Sequence, residues 1–176
     1  MNITVKYRVN DEKKEFTGSE NEDLSLEITQ QGERITVTVH SKKKIMLHSV
    51  TGTEAYEFPE GSSMFLNGYQ SWTETKEFSA GEHLNDLRAV PAPLDSKYHF
   101  RSYGSQSFAA SDRDELIGFD FSYIKGRKPL FIGSFNSANA YLMIEFRMKS
   151  HMIVLESDVS GKLLKKGDSF TLFDYM

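Results

Sequence analysis

Apolar and polar residues alternate with a period of two along most of the chain. Ile3, Val5, Tyr7 and Val9 alternate with Thr4, Lys6 and Arg8, the pattern of a strand with one buried face. Leu24, Leu26 and Ile28 repeat it. After Gln31-Gly32, Ile35, Val37 and Val39 alternate with Arg34, Thr36, Thr38 and His40. Two such runs about a short Gly-containing link predict a β-hairpin. Ile45 and Leu47 begin a further short strand. Ile117, Phe119, Phe121 and Tyr123 alternate with Gly118, Asp120 and Ser122, and Gly126-Arg127-Lys128-Pro129 marks a turn before Leu130–Phe135 runs back. Tyr141–Met148 places Leu142, Ile144, Phe146 and Met148 on one face and Glu145 and Arg147 on the other. His151–Glu156 follows, and Phe170–Phe173 forms a last strand after the Lys165–Asp168 turn.

The middle of the chain departs from this rhythm. From about Thr51 to Ser96 it holds Gly52, Gly61, Gly68 and Gly81 with Pro59, Pro91 and Pro93, and its apolar periodicity is weak. This stretch is expected to be long loops with short strands and one helical turn at Glu82–Arg88. No window longer than ten residues carries a 3.6-residue stripe. The expectation is therefore an all-β fold: a β-supersandwich of two facing, mostly antiparallel sheets with little helix. The 176 residues suffice for one good core, so residues 1–176 are read as a single domain.

Composition narrows the function more than it defines it. The 25 acids outnumber the 21 Lys and Arg, which argues against nucleic acid as the main partner. Lys42-Lys43-Lys44 is too short to track phosphates and is read as a solvated strand end. With no cysteine, disulfides, thiolate catalysis and Cys-ligated zinc drop out, and a cytoplasmic protein is expected. No apolar run is long enough to span a bilayer, and the start has no signal-peptide core. His40, His48, His83, His99 and His151 never fall at clamp spacing, so no metal and no cofactor are expected. No nucleophile elbow or phosphate-cradling glycine loop occurs. Paired carboxylates could do glycosidic chemistry. The densest acidic stretch, Asp112-Arg113-Asp114-Glu115, is read as an exposed turn, and no catalytic residue is assigned.

The most informative segment is Phe65-Leu66-Asn67-Gly68-Tyr69-Gln70-Ser71-Trp72. Asn67-Gly68 favours a turn with positive φ. Behind it stand an aromatic residue, amide and hydroxyl side chains, and the one Trp of the chain. Flat aromatic faces pack on pyranose C–H surfaces while amides and hydroxyls bond ring hydroxyls, so Asn67, Tyr69, Gln70 and Trp72 are the candidate substrate-rim or interface residues. The plainer alternative is that Tyr69 and Trp72 anchor a loop in the core.

Asn67–Trp72 resembles a motif of the N-terminal domain of α-galactosidases of glycoside hydrolase family 36, the melibiase-like group. Arg101-Ser102-Tyr103-Gly104 resembles a later Tyr-Gly segment of that domain. Gly118–Ile124 with Leu130–Ser134 looks like its later hairpin. The likeness covers most of Phe65–Phe173 and is looser before it. It implies a β-supersandwich that precedes a (β/α)8 barrel, and it implies that hydrolysis of terminal α-galactosides resides in the barrel, on two aspartates. The family's nucleophile lies in Lys-Trp-Asp, whereas Trp72 is followed by Thr73, so that role does not carry over. A barrel needs about 250 residues of its own. The resemblance thus implies a non-catalytic domain that is inactive alone, whose partner is a barrel and which can reach a neighbouring subunit of a homo-oligomer. A free-standing carbohydrate-binding sandwich and an assembly domain with only protein partners are the competing readings.

Overall fold

A computed structural model describes residues 1–68, 75–79, 82, 115–136 and 140–175. Among these the protein is all-β, with thirteen strands and no helix. One sheet has six strands in the order β2 (Glu12–Thr17), β1 (Asn2–Val9), β5 (Ile45–Ala55), β12 (Met152–Leu164), β11 (Leu142–Arg147) and β8 (Glu115–Phe119). A four-stranded sheet runs β10 (Leu130–Gly133), β9 (Phe121–Lys125), β6 (Ser63–Leu66) and β7 (Lys76–Ser79). A three-stranded sheet runs β13 (Ser169–Tyr175), β4 (Arg34–Ser41) and β3 (Leu24–Gln31). Every strand pairing is antiparallel.

The two smaller sheets meet edge to edge. Ser134 bridges Tyr175, and Phe135 N donates to Asp174 O at 2.7 Å. Together they form a second layer opposite the six-stranded sheet. Ile3, Val5 and Leu47 of the first layer, and Val37, Met64 and Phe173 of the second, belong to one buried core. Contact across the layers is close: a Cβ placed on Gly52 of β5 would sit 3.4 Å from the Phe173 ring.

The alternating runs form strands where they were expected, including the β3–β4 hairpin, whose turn places Gly32 at φ 63°. Four features differ. β5 continues through Thr51–Ala55, a stretch expected to be loop. It does so through a β-bulge: Lys6 pairs Ser49 and Tyr7 pairs Leu47, so His48 is the extra residue. The bulge shifts the side-chain phase and keeps both Ile45/Leu47 and Val50 inward. β12 runs on past Glu156, with a register shift between Asp158 and Lys162 and Gly161 at φ 79°. β2 was not expected, because Glu-Lys-Lys-Glu-Phe-Thr carries no apolar alternation. The Ile117–Tyr123 run is two strands rather than one, because Asp120 adopts φ 60° and breaks it.

That break sends β8 into one layer and β9 into the other. Asp120 N donates to Leu142 O at 2.7 Å, its Oδ1 accepts from Leu142 N at 3.2 Å, and its carbonyl accepts from Ser134 N at 2.7 Å. The expected helical turn at Glu82–Arg88 lies outside the described residues apart from Glu82.

A second anchor closes the far end of β4. Asp23, 1% exposed, accepts from Tyr7 Oη at 3.0 Å and from Lys14 Nζ at 2.9 Å, and pairs with Lys43 Nζ at 2.9 Å. Lys42 pairs with Glu20 and donates to Asn21 O at 2.8 Å. Two lysines of the Lys42–Lys44 run thus tie the β4–β5 link to the segment between β2 and β3, instead of standing free in solvent.

Candidate functional site: an aromatic sheet face beside Asn67

Alternation on β6, β9 and β10 sends Met64, Leu66, Ile124 and Ile132 into the core. The intervening positions therefore point outward. Cross-strand register aligns them: Phe65 lies opposite Tyr123, and Tyr123 opposite Phe131. The Phe65 and Tyr123 rings stack with centroids 5.1 Å apart and planes 2° from parallel. Phe65 also stacks on Phe121 at 5.7 Å. Phe131 is 47% exposed and Phe121 39%, so the row is open to solvent.

One side of the row is polar. Glu77 of β7 lies opposite Phe65, accepts from Ser63 Oγ and faces Lys125 Nζ at 3.6 Å. The Ser63 hydrogen bond, with help from Lys125, holds the Glu77 carboxyl below its usual range. A flat aromatic strip with a charged, hydrogen-bonding rim matches the anatomy of an interaction surface: stacking area at the centre and polar groups at the edge. It can stack on the C–H face of a sugar ring or accept an apolar protein surface.

Phe65 is also the first residue of the segment that ends at Trp72, so the row leads directly into the sequence motif. At the end of β6, Asn67 Nδ2 donates to Phe119 O at 2.9 Å, and Phe119 N donates to Asn67 O at 2.9 Å. This reciprocal pair fixes Asn67 to β8 and ties the two layers at that corner. Gly118 permits the approach, since a Cβ there would lie 2.3 Å from Ser122 Oγ and 3.4 Å from Asn67 N. Gly68 N donates to Thr75 Oγ1 at 2.9 Å, holding together the ends of the β6–β7 connection. Tyr69, Gln70 and Trp72 lie outside the described residues. Of the four candidate residues, the structure therefore places Asn67, whose amide serves the sheet corner.

Two further features were not evident in the sequence. A cavity of about 440 Å³ opens where the two smaller sheets meet, lined by Ile35, Leu130, Ile132, Leu155, Glu54 and Tyr175 among others. Burial, with the nearby Glu54 charge, pushes the Tyr175 hydroxyl up to about 12. The second feature is a carboxylate pair on the outward face of the six-stranded sheet. Glu145, 7% exposed, pairs with Arg147 at 2.9 Å and stands diagonally across β11–β12 from Glu156. Burial raises the Glu156 carboxyl; Lys6 and Arg147 oppose the shift, and Asp158 and Glu145 add to it. Cross-strand register supplies this pair, whereas Asp112 and Asp114 lie outside the described residues.

The sign of the Glu156 shift gives a test. A carboxyl raised in the folded state binds its proton more tightly there than in the unfolded chain. Its cost is absent below the unfolded value of about 4.3 and grows as pH rises through the folded value. Glu156→Gln is expected to raise the urea midpoint near about pH 8 and to leave it unchanged near about pH 3. An equal shift at both would contradict the assignment.

Among the described residues no group of three or more His, Asp or Glu is placed to hold a metal ion. Also among them, no helix is long and apolar enough to cross a membrane. In comparisons with protein-family models, curated proteins and solved structures, nothing matches this chain.

Proposed function

We propose that this chain is the accessory β-supersandwich of a family 36-type α-galactosidase. In this reading it docks on a (β/α)8 barrel that performs the hydrolysis, helps to shape the rim of the substrate site, and contributes no catalytic group. One observation carries the reading most directly: Phe65, in the segment that resembles the family motif, sits in an exposed stacked aromatic row ending at the pinned Asn67 corner. Exposed aromatic surface with a polar margin suits docking better than solvation. Asn67, Tyr69, Gln70 and Trp72 then belong to the contact with the barrel or its substrate. The protein works in the cytoplasm, a compartment that the cysteine-free sequence suits, and a second copy can join the assembly.

The stacked row with its Ser63–Glu77–Lys125 margin also favours a second reading, a free-standing carbohydrate-binding module. Because Trp72 is the one Trp of the chain, its emission reports on the motif alone. The docking reading expects no saturable change with melibiose or galactose, and no turnover of an aryl α-galactoside. Saturable quenching by melibiose would replace it with the carbohydrate module. Turnover lost on mutating one of the chain's own carboxylates would make the chain an enzyme.

A further inference from the structure

On the outward face of the six-stranded sheet, away from the aromatic row, a cavity of about 420 Å³ lies over β1 and β2. Its lining includes Lys6, Arg8, Lys13, Glu15 and His48. The strand register explains the grouping. Lys6 pairs Glu15 and Arg8 pairs Lys13 across β1–β2, and all four alternate with the inward Val5 and Tyr7. His48 joins them because it is the bulged residue of β5, inserted where the β1–β5 register slips between Lys6 and Tyr7. A bulge re-aims a side chain in this way.

Two observations point to an anion. The first is charge: Lys6, Arg8 and Lys13 face the single acid Glu15 of the lining, while Lys14, also at the cavity, is turned to Asp23 at 2.9 Å and Glu22 at 3.5 Å. Beyond the lining, two acids of β12 lie on the same face: Glu156, which acts on Lys6, and Asp158, which pairs with Ser49, the β5 partner of Lys6. The second is unmet hydrogen bonding: Arg8 Nε and His48 Nε2 are buried and have no partner. Both atoms are closed to solvent, so an anion meets them only when the Arg8 and His48 side chains turn toward the cavity, a turn that their unmet hydrogen bonding favours.

We propose that this cavity binds a small organic phosphate or sulfate, with its oxyanion held by Arg8, Lys13 and His48. The guanidinium fork and the lysine ammonium suit a tetrahedral oxyanion. The volume exceeds what a bare ion needs and lies within the range of small-ligand pockets. A nucleic acid is disfavoured, because three cations in one dimple do not form a phosphate-tracking stripe.

The test is calorimetric titration of the whole chain with inorganic phosphate, inorganic sulfate and glucose 6-phosphate, against chloride at matched ionic strength. Saturable binding is expected for the oxyanions and none for chloride. Glucose 6-phosphate binding at least about tenfold tighter than phosphate assigns the site to an organic ester, since tenfold is about 1.4 kcal/mol of added contact. Equal affinities would overturn that part of the proposal. Arg8→Gln and the exposed Lys13→Gln should each weaken binding at least about fivefold, a loss typical of one charge-assisted contact. Lys42→Gln, which alters a cation outside the cavity, should not. Lys13→Gln keeps the test intact if Arg8→Gln fails to fold. Binding indifferent to Lys13→Gln, or matched by chloride, would overturn the site.

Discussion

Truncating Phe146 to Ala is expected to cost the fold about 3–5 kcal/mol, the range for emptying a fully buried aromatic site. Phe146 is completely buried in β11, within the single core that both layers share. The Phe58 ring meets it edge-on at 6.3 Å, planes 86° apart. β11 lies between β12 and β8, so its neighbours on both sides are fixed by ladder hydrogen bonds and cannot collapse freely into the void. Phe131→Ala provides the contrast. Its side chain stands in the exposed row, and its loss should change stability by no more than about 0.5 kcal/mol. Urea unfolding of both variants measures the difference, and equal losses would contradict the layer assignment.

Asp23→Ala should cost about 2–3 kcal/mol, since it removes charge-assisted bonds and leaves the buried Tyr7 hydroxyl without its acceptor. The effect depends on pH in a definite direction. Burial pushes the Asp23 carboxyl up, but hydrogen bonds from Lys43, Lys14 and Tyr7 outweigh burial and hold it below its usual value. A depressed carboxyl contributes its stability above the unfolded value of about 3.9, and loses it as pH falls through the folded value. Asp23→Asn should therefore unfold more readily than the parent at neutral pH, with the gap closing below about pH 4. A gap that widened in acid would contradict the ion-pair account.

Alternation was legible wherever a strand buried one face without interruption, as in β1, β4 and β11, and also in β3, although there Leu24 is buried while Ile28 is 55% exposed. It failed where the backbone changed phase. Phe119 and Phe121 share a parity in sequence yet lie in different layers, because Asp120 turns the chain through positive φ between them. At His48 the bulge hid the continuation of β5 by breaking the period-two pattern. β2 escaped notice because it is an edge strand, paired only with β1, and buries little beyond parts of Lys14 and Phe16. The motif beginning at Phe65 could be seen in the sequence, but the row it joins could not. Phe65, Tyr123 and Phe131 meet through pairings between segments far apart in the chain, and no local pattern encodes that register. The same holds for Glu145 with Glu156 and for Arg8 with His48.

The docking reading is tested most directly by mixing the chain with the catalytic barrel of a family 36 α-galactosidase expressed without its own N-terminal domain. The readouts are light scattering and Trp72 emission in a barrel variant stripped of its tryptophans. The account predicts a one-to-one complex, a shifted Trp72 emission, and loss of both on Phe131→Ser. A chain that ignores the barrel while its Trp72 emission responds saturably to melibiose alone would contradict it.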